Sequence, residues 1–181
     1  ADALRDRGAQ VIEAAAIRTQ ALALTKEDQN YLDRLGTYDY LTFTSAEGVK
    51  YFFKALWGRH EDSRAIGNCK VCAVGTATAK ALMDYGIIAD LIPANYKAES
   101  VATALASDLP KGAKVLLVQP KVARSVIQDS LYEEGILVDT IRLYETLLDQ
   151  SQKEALLAAF EEGVDYITFT SGSTVKNTLK L

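Results

Sequence analysis

The sequence predicts a doubly wound α/β protein: two similar parallel-sheet domains of flavodoxin-like type, intertwined and joined by a two-stranded linker. Three observations carry this. Asp39–Lys50 (DYLTFTSAEGVK) returns as Asp165–Lys176 (DYITFTSGSTVK), nine of twelve positions being identical or aliphatic-for-aliphatic at an offset of 126. Leu4, Gly8 and Val11 return at an offset of 127 as Leu131, Gly135 and Val138. Repeats of near-domain length indicate a duplicated domain rather than a solenoid. Third, short aliphatic runs without polar alternation are joined by helical stretches, the pattern of a parallel sheet covered on both faces. By the same offsets, the counterpart of Val115–Val118 falls ahead of Ala1, and the second copy stops roughly 55 residues short of the first copy's end near Leu109, so a longer parent chain is expected.

Each element has its local reason. Ala1–Arg7 reads as a helix stopped by Gly8, and Val11–Ala14 as a short strand. Lys26–Leu35 is an amphipathic helix capped by Thr25. Tyr40–Phe43 is a buried strand, after which Ser45 opens a helix through Leu56. Val71–Val74 is a strand, and Gly75-Thr76 leads into a helix from Ala77 to Tyr85, stopped by Gly86. Ala89–Ile92 is a strand ending at Pro93, and Ser100–Leu109 a helix stopped by Pro110. Val115–Val118 is a strand, Val122–Glu134 a helix stopped by Gly135, and Leu137–Arg142 a strand. Ser151–Glu161 is a helix whose Ser151 and Glu154 form a capping box. Tyr166–Phe169 is a strand and Thr174–Leu181 a helix.

Ala15–Ala23 and Leu143–Leu148 read as extended connections, so the chain crosses twice between two bodies. Residues 1–17 with 147–181 make the first domain, 24–142 the second, and 18–23 with 143–146 the linkers. Two connecting strands are a natural hinge.

An apolar content of 49% supports a sizeable core, and a net charge of −4 with no basic block argues against nucleic-acid or membrane-surface binding. No run approaches the roughly 18 apolar residues of a spanning helix, and no secretory signal is visible; a cytoplasmic setting is expected. Cys69 and Cys72 form C-x-x-C but bracket the start of a strand, where residues three apart face opposite ways. They read as buried small hydrophobes rather than a redox pair, and His60 as a surface residue.

In open α/β sheets ligands bind beyond the carboxyl ends of the strands. Here these carry Thr44-Ser45-Ala46, Gly75-Thr76-Ala77-Thr78, Pro93 to Glu99, Gln119-Pro120 and Thr170-Ser171-Gly172-Ser173-Thr174. Hydroxyls and small residues opening helices present free N–H groups and partial positive charge to carboxylates or phosphates. Each Ser or Thr alone is accounted for by a plain helix cap; the repeated Phe-Thr-Ser makes accident less credible. There is no phosphate-binding Gly-Lys-Ser/Thr, no G-x-G-x-x-G and no G-x-S-x-G. The residues themselves therefore indicate an anion-binding cleft without a metal or a covalent nucleophile.

An ordered set of motifs resembles the uroporphyrinogen-III synthase family: Thr42 to Val49, Ala73-Val74-Gly75 with Thr78-Ala79, Gly86-Ile87 with Ala89-Asp90 and Pro93, Tyr96 with Ala98-Glu99, Tyr144 with Thr146, and Phe169-Thr170-Ser171 with Ser173-Thr174-Val175. The resemblance covers nearly the whole chain. It implies two intertwined α/β domains and cyclisation of the linear tetrapyrrole hydroxymethylbilane, with loss of water and inversion of the terminal pyrrole ring through a spiro intermediate. It implies no cofactor and a small-molecule substrate; a monomer is expected, with fusion to, or substrate supply from, another tetrapyrrole enzyme left open. Tyr144 matches the residue expected to assist hydroxyl loss. Thr44, Ser45, Ala46, Gly75, Thr76, Thr78, Tyr96, Gln119, Ser171, Ser173 and Thr174 are the expected substrate contacts, while Lys97 and Lys121 are expected to be solvated. Where the family often has a basic residue after the strand Val115–Val118, this chain has Gln119-Pro120, which shifts carboxylate binding there toward backbone amides. The rival readings are a non-catalytic two-domain binding protein for a small polyanion, and a receiver-like regulatory domain, for which the acidic magnesium cluster is not found.

Overall fold

The computed structural model describes residues 1–169 and 172–180, with the Ser173 side chain left out. The backbone divides into two compact units, one of Ala1–Gln20 with Thr146–Leu181 and one of Ala21–Glu145. A five-stranded sheet has the order β1-β5-β4-β2-β3, with β1 Ile17–Ala21, β2 Tyr40–Phe43, β3 Lys70–Ala73, β4 Lys114–Pro120 and β5 Leu137–Leu148. β2 is parallel to both β3 and β4, and β4 to β5.

In the larger unit, α2 (Lys26–Asp33) follows α1 (Asp2–Arg5) of the smaller, and is opened by a complete capping box between Thr25 and Asp28. α3 (Ala46–Gly58) places Val49, Phe52, Phe53 and Leu56 on one stripe, all at most 1% exposed. Each such side chain contributes about 1.5–3 kcal/mol by leaving water. With Leu82 of α4 (Thr76–Met83), the stripe covers Leu41 and Phe43 of β2 and Leu116 and Val118 of β4. The opposite sheet face, Tyr40, Cys72, Val115 and Leu117, is covered by Val101 and Leu105 of α5 (Ala98–Asp108) and Ile127 and Leu131 of α6 (Val126–Glu133). Neighbouring strands β2 and β4 thus send their onward connections to opposite faces. That reversal is the topological switch point at which open α/β sheets leave a crevice.

In the smaller unit, Asp149 N–H donates to Ala16 O, while in the larger Leu22 N–H donates to Leu143 O. The indices fall on one segment as they rise on the other, so β1 runs antiparallel to β5. α7 (Lys153–Glu162) and α8 (Gly172–Thr178) complete the smaller unit.

Several expectations are corrected. Val11–Ala14 is not a strand; the strand is Ile17–Ala21, inside the stretch expected to be linker, and its mostly exposed side chains show that backbone pairing rather than burial defines it. Ala89–Ile92 reduces to a single bridge between Leu91 and Cys72, because the Asp90 carboxylate takes the Val71 N–H at 2.7 Å that a backbone partner would use. Tyr166–Phe169 is not a strand either: among the described residues it has no neighbour to pair with. The capping box at Ser151 does not form. Ser151 donates its N–H and hydroxyl to Asp149 in a 3-10 turn, and α7 starts at Lys153 without a side-chain cap. Leu137–Arg142 extends to Leu148, so Tyr144 sits on a strand. The expected helix from Val122 begins only at Val126. Cys69 and Cys72 are buried free thiols packed on opposite faces of the sheet, and burial pushes both up to about 12.

Candidate functional site

The carboxyl ends of β2 and β4 and the Tyr144 stretch of β5 meet around the start of α3. Ser45 leaves β2 in extended backbone and serves as the helix N-cap, its Oγ accepting from Gly48 N–H at 2.9 Å. Gly48 lets the helix start lie close against this cap: a Cβ at that position would stand 3.2 Å from Ser45 Oγ, a tight contact, and 3.6 Å from Val118 Cγ1. Thr44 Oγ1 donates to Val118 O at 3.0 Å, tying the loop after β2 to the end of β4. Gln119, buried, follows Val118 where the β2–β4 register brings β4 level with the β2 exit. A register shift at Gln119/Pro120 then sets Pro120 opposite Tyr144.

Tyr144 is 5% exposed, and its ring stacks on Tyr51 of α3 with centroids 5.2 Å apart at 10°. Its Oη lies 2.8 Å from Ser45 Oγ, and either hydroxyl can be the donor. Burial pushes the phenol above its ordinary 10, with a smaller opposing pull from the Ser45 hydrogen bond. It therefore stays protonated at neutral pH and remains a hydrogen-bond donor. Lys121 is not simply solvated: its ammonium reaches Glu145 Oε2 at 2.8 Å, and its backbone N–H donates to Tyr144 O at 2.7 Å.

A second cluster sits after β3. Gly75 is the N-cap of α4 at φ +100°, with no side-chain cap, and Thr76 opens the helix. Tyr96, half exposed, lays its ring 3.7 Å from where a Gly75 Cβ would be. Thr78 is buried in the first turn, donating to Val74 O at 3.2 Å. Beyond Tyr96, a cleft of about 530 Å³ is lined by the first turns of α5 and α6, with Lys97 and Arg124 as its cations and Glu99 as its one acid. The N-caps of α5 and α6 also lack side-chain caps. First-turn amides that no side chain caps, together with two cations, suit a carboxylate or phosphate.

The structure thus brings Thr44, Ser45, Ala46 and Tyr144 together, and separately Gly75, Thr76 and Tyr96. Thr174 lies in α8 of the smaller unit, and Ser171 and the Ser173 side chain lie outside the described residues. Sequence reasoning missed Tyr51 and Arg124. Tyr51 lies in the second turn of α3, off the stripe of Val49, Phe52, Phe53 and Leu56, and Arg124 is a cation just ahead of a helix start; neither contact follows from spacing alone.

The family described as uroporphyrinogen-III synthase HemD matches residues 1–181. The chain is 29% identical over 174 residues to the porphyrin biosynthesis protein HemD of Ruminiclostridium josui, covering 96% of this chain but only 34% of that protein. Among solved structures, a triple mutant of the Thermus thermophilus uroporphyrinogen III synthase superposes with a TM-score of 0.62 at 20% identity, over 91% of this chain and 65% of that one. The Helicobacter pylori 26695 synthetase gives 0.60 at 23% identity, over 91% and 69%. The chain therefore spans about a third of the first relative's length and under two thirds of the Thermus chain.

Proposed function

Because the chain belongs to the uroporphyrinogen-III synthase family, which acts on a small-molecule tetrapyrrole, we propose that it cyclises hydroxymethylbilane to uroporphyrinogen III. The observation that carries this reading is the Tyr144 phenol, buried, kept neutral, and held beside the Ser45 cap at the switch point of the sheet. On this reading the phenol O–H is shared with the leaving hydroxyl of the substrate. The C–O bond breaks with its electron pair on oxygen, the pyrrole nitrogen's electron pair fills the vacancy at carbon, and the hydroxyl departs as water. The proton lent by the phenol is restored from the pyrrole N–H, so the site begins and ends neutral. The rest of the chemistry is positioning. Acetate and propionate groups would sit on the amides at Thr44 and Ala46, beside the Ser45 cap, and on those at Gly75 and Thr76, against Tyr96, Thr78 and Gln119, with Lys97 and Arg124 supplying charge; Ser171, Ser173 and Thr174 are taken as further substrate contacts. Lys121 is already engaged by Glu145.

The reading further takes residues 1–17 with 147–181 and residues 24–142 as two domains linked by 18–23 and 143–146. It takes the protein to be a cofactor-independent cytoplasmic monomer. No helix among the described residues is long and apolar enough to cross a membrane. Tyr144→Phe tests the central role: it should lower turnover about 100-fold while the fold, followed by circular dichroism, is unchanged. Unchanged turnover removes Tyr144 from the mechanism.

A further inference from the structure

We propose that Ser45 is a positioning residue that sets the direction of the Tyr144 phenol proton, rather than a substrate contact in its own right. This rests on the reading of Tyr144 given above. A serine hydroxyl has one proton and two acceptor sites. One acceptor site is committed to Gly48 N–H, since Ser45 caps α3. What remains is a choice of two states for the 2.8 Å contact with Tyr144. If the phenol donates to Ser45, its proton is spent on the protein, and the phenol oxygen can only accept from the substrate. If Ser45 donates to the phenol, the phenol proton is released to point away from the protein. The cap favours the second state. A hydroxyl that already accepts from a backbone amide is polarised toward donating, because hydrogen bonds in a chain reinforce one another.

Two further features hold the geometry. The phenol cannot swing away from Ser45, because its ring is stacked on Tyr51 and is almost fully buried. The serine oxygen cannot drift, because the Gly48 N–H fixes it at 2.9 Å. The chain of donors therefore runs Gly48 N–H, Ser45 O–H, Tyr144 O–H, and ends at the substrate's leaving oxygen. The first donor is at a helix N-terminus, whose partial positive charge favours a developing anion at the far end.

The test is a double-mutant cycle with Ser45→Gly and Tyr144→Phe, read as kcat and KM for formation of the isomer III product. Glycine is used because it is nearly as good an N-cap as serine, so α3 keeps its start; Ser45→Ala, which loses the cap, serves as the folding control by urea titration. The expected result is a fall in kcat of about tenfold for Ser45→Gly with KM unmoved, and no further fall when it is added to Tyr144→Phe. A rise in KM at constant kcat would make Ser45 a substrate contact and overturn the proposal, as would equal losses of kcat in both backgrounds. Failure of the underlying reading is distinct: it shows as unchanged turnover in Tyr144→Phe alone.

Discussion

Gly75→Ala is the sharpest probe of how the strand-to-helix junction is built. Gly75 follows β3 by two residues and caps α4 at φ +100°, ψ 159°, a region that residues with a Cβ rarely enter. Space is not the obstacle: the nearest atoms to an added Cβ are Tyr96 ring carbons at 3.7 Å, ordinary contact. The cost is therefore conformational, about 1–3 kcal/mol for a residue held there. Against it stands the smaller entropy of an unfolded chain with alanine, about 0.4–1 kcal/mol. The net loss is about 1–2 kcal/mol, which for a chain of this size lowers Tm by roughly 2–8 °C. The assay is a urea titration followed by tryptophan emission. Trp57, the only tryptophan, lies on α3 and reports the larger unit. Gly36→Ala is the control, since Gly36 has no positive φ and nothing within 4 Å of its added Cβ. If Gly75→Ala costs no more than Gly36→Ala, the junction does not need glycine, and backbone conformation does not shape this turn.

Other outcomes follow from the same geometry. Gly48→Ala should leave the urea midpoint nearly unchanged, because about 0.5–1 kcal/mol of helix propensity offsets the tight 3.2 Å contact with Ser45 Oγ, yet turnover should fall as Ser45 is displaced; wild-type turnover would show that the Ser45 position does not matter. Phe52→Ala, which empties a fully buried site in edge contact with Phe43 and Phe53, should cost about 3–5 kcal/mol by the same urea assay. The Lys70 ammonium, with the Tyr40 hydroxyl, holds the Asp108 carboxyl below its ordinary 3.8. That contribution is present above the unfolded-state value and is lost as pH falls through the folded one, so Asp108→Asn should flatten the decline in stability below about pH 4. The Tyr144 phenol, raised above 10, should place no alkaline break in the kcat profile below that pH.

How far the sequence reaches depends on what defines each element. Tyr40–Phe43 and Val115–Val118 are legible because they are buried on both faces and so read as continuous apolar runs. β1 is not, because Ile17–Ala21 carries Arg18, Thr19 and Gln20 and is held by backbone pairing. Val11–Ala14, with the branched aliphatics Val11 and Ile12, draws the assignment instead. Tyr166–Phe169 shows the converse: nearly the same residues as Tyr40–Phe43, yet no strand where no described partner lies alongside. At the site, Ser45 as a cap and Tyr144 as a reactive phenol come from local pattern and family resemblance. Their mutual hydrogen bond, the Tyr51 stack and the Lys121–Glu145 pair join residues 99, 93 and 24 positions apart and depend on the sheet order.

The most direct test supplies the purified protein with freshly prepared hydroxymethylbilane, oxidises the products, and separates the porphyrin isomers by chromatography. Dominant isomer III is the predicted result, since it requires the terminal ring to be inverted by the protein. Isomer I alone, the product of spontaneous closure, from a folded protein would contradict the assignment and leave a polyanion-binding protein in its place.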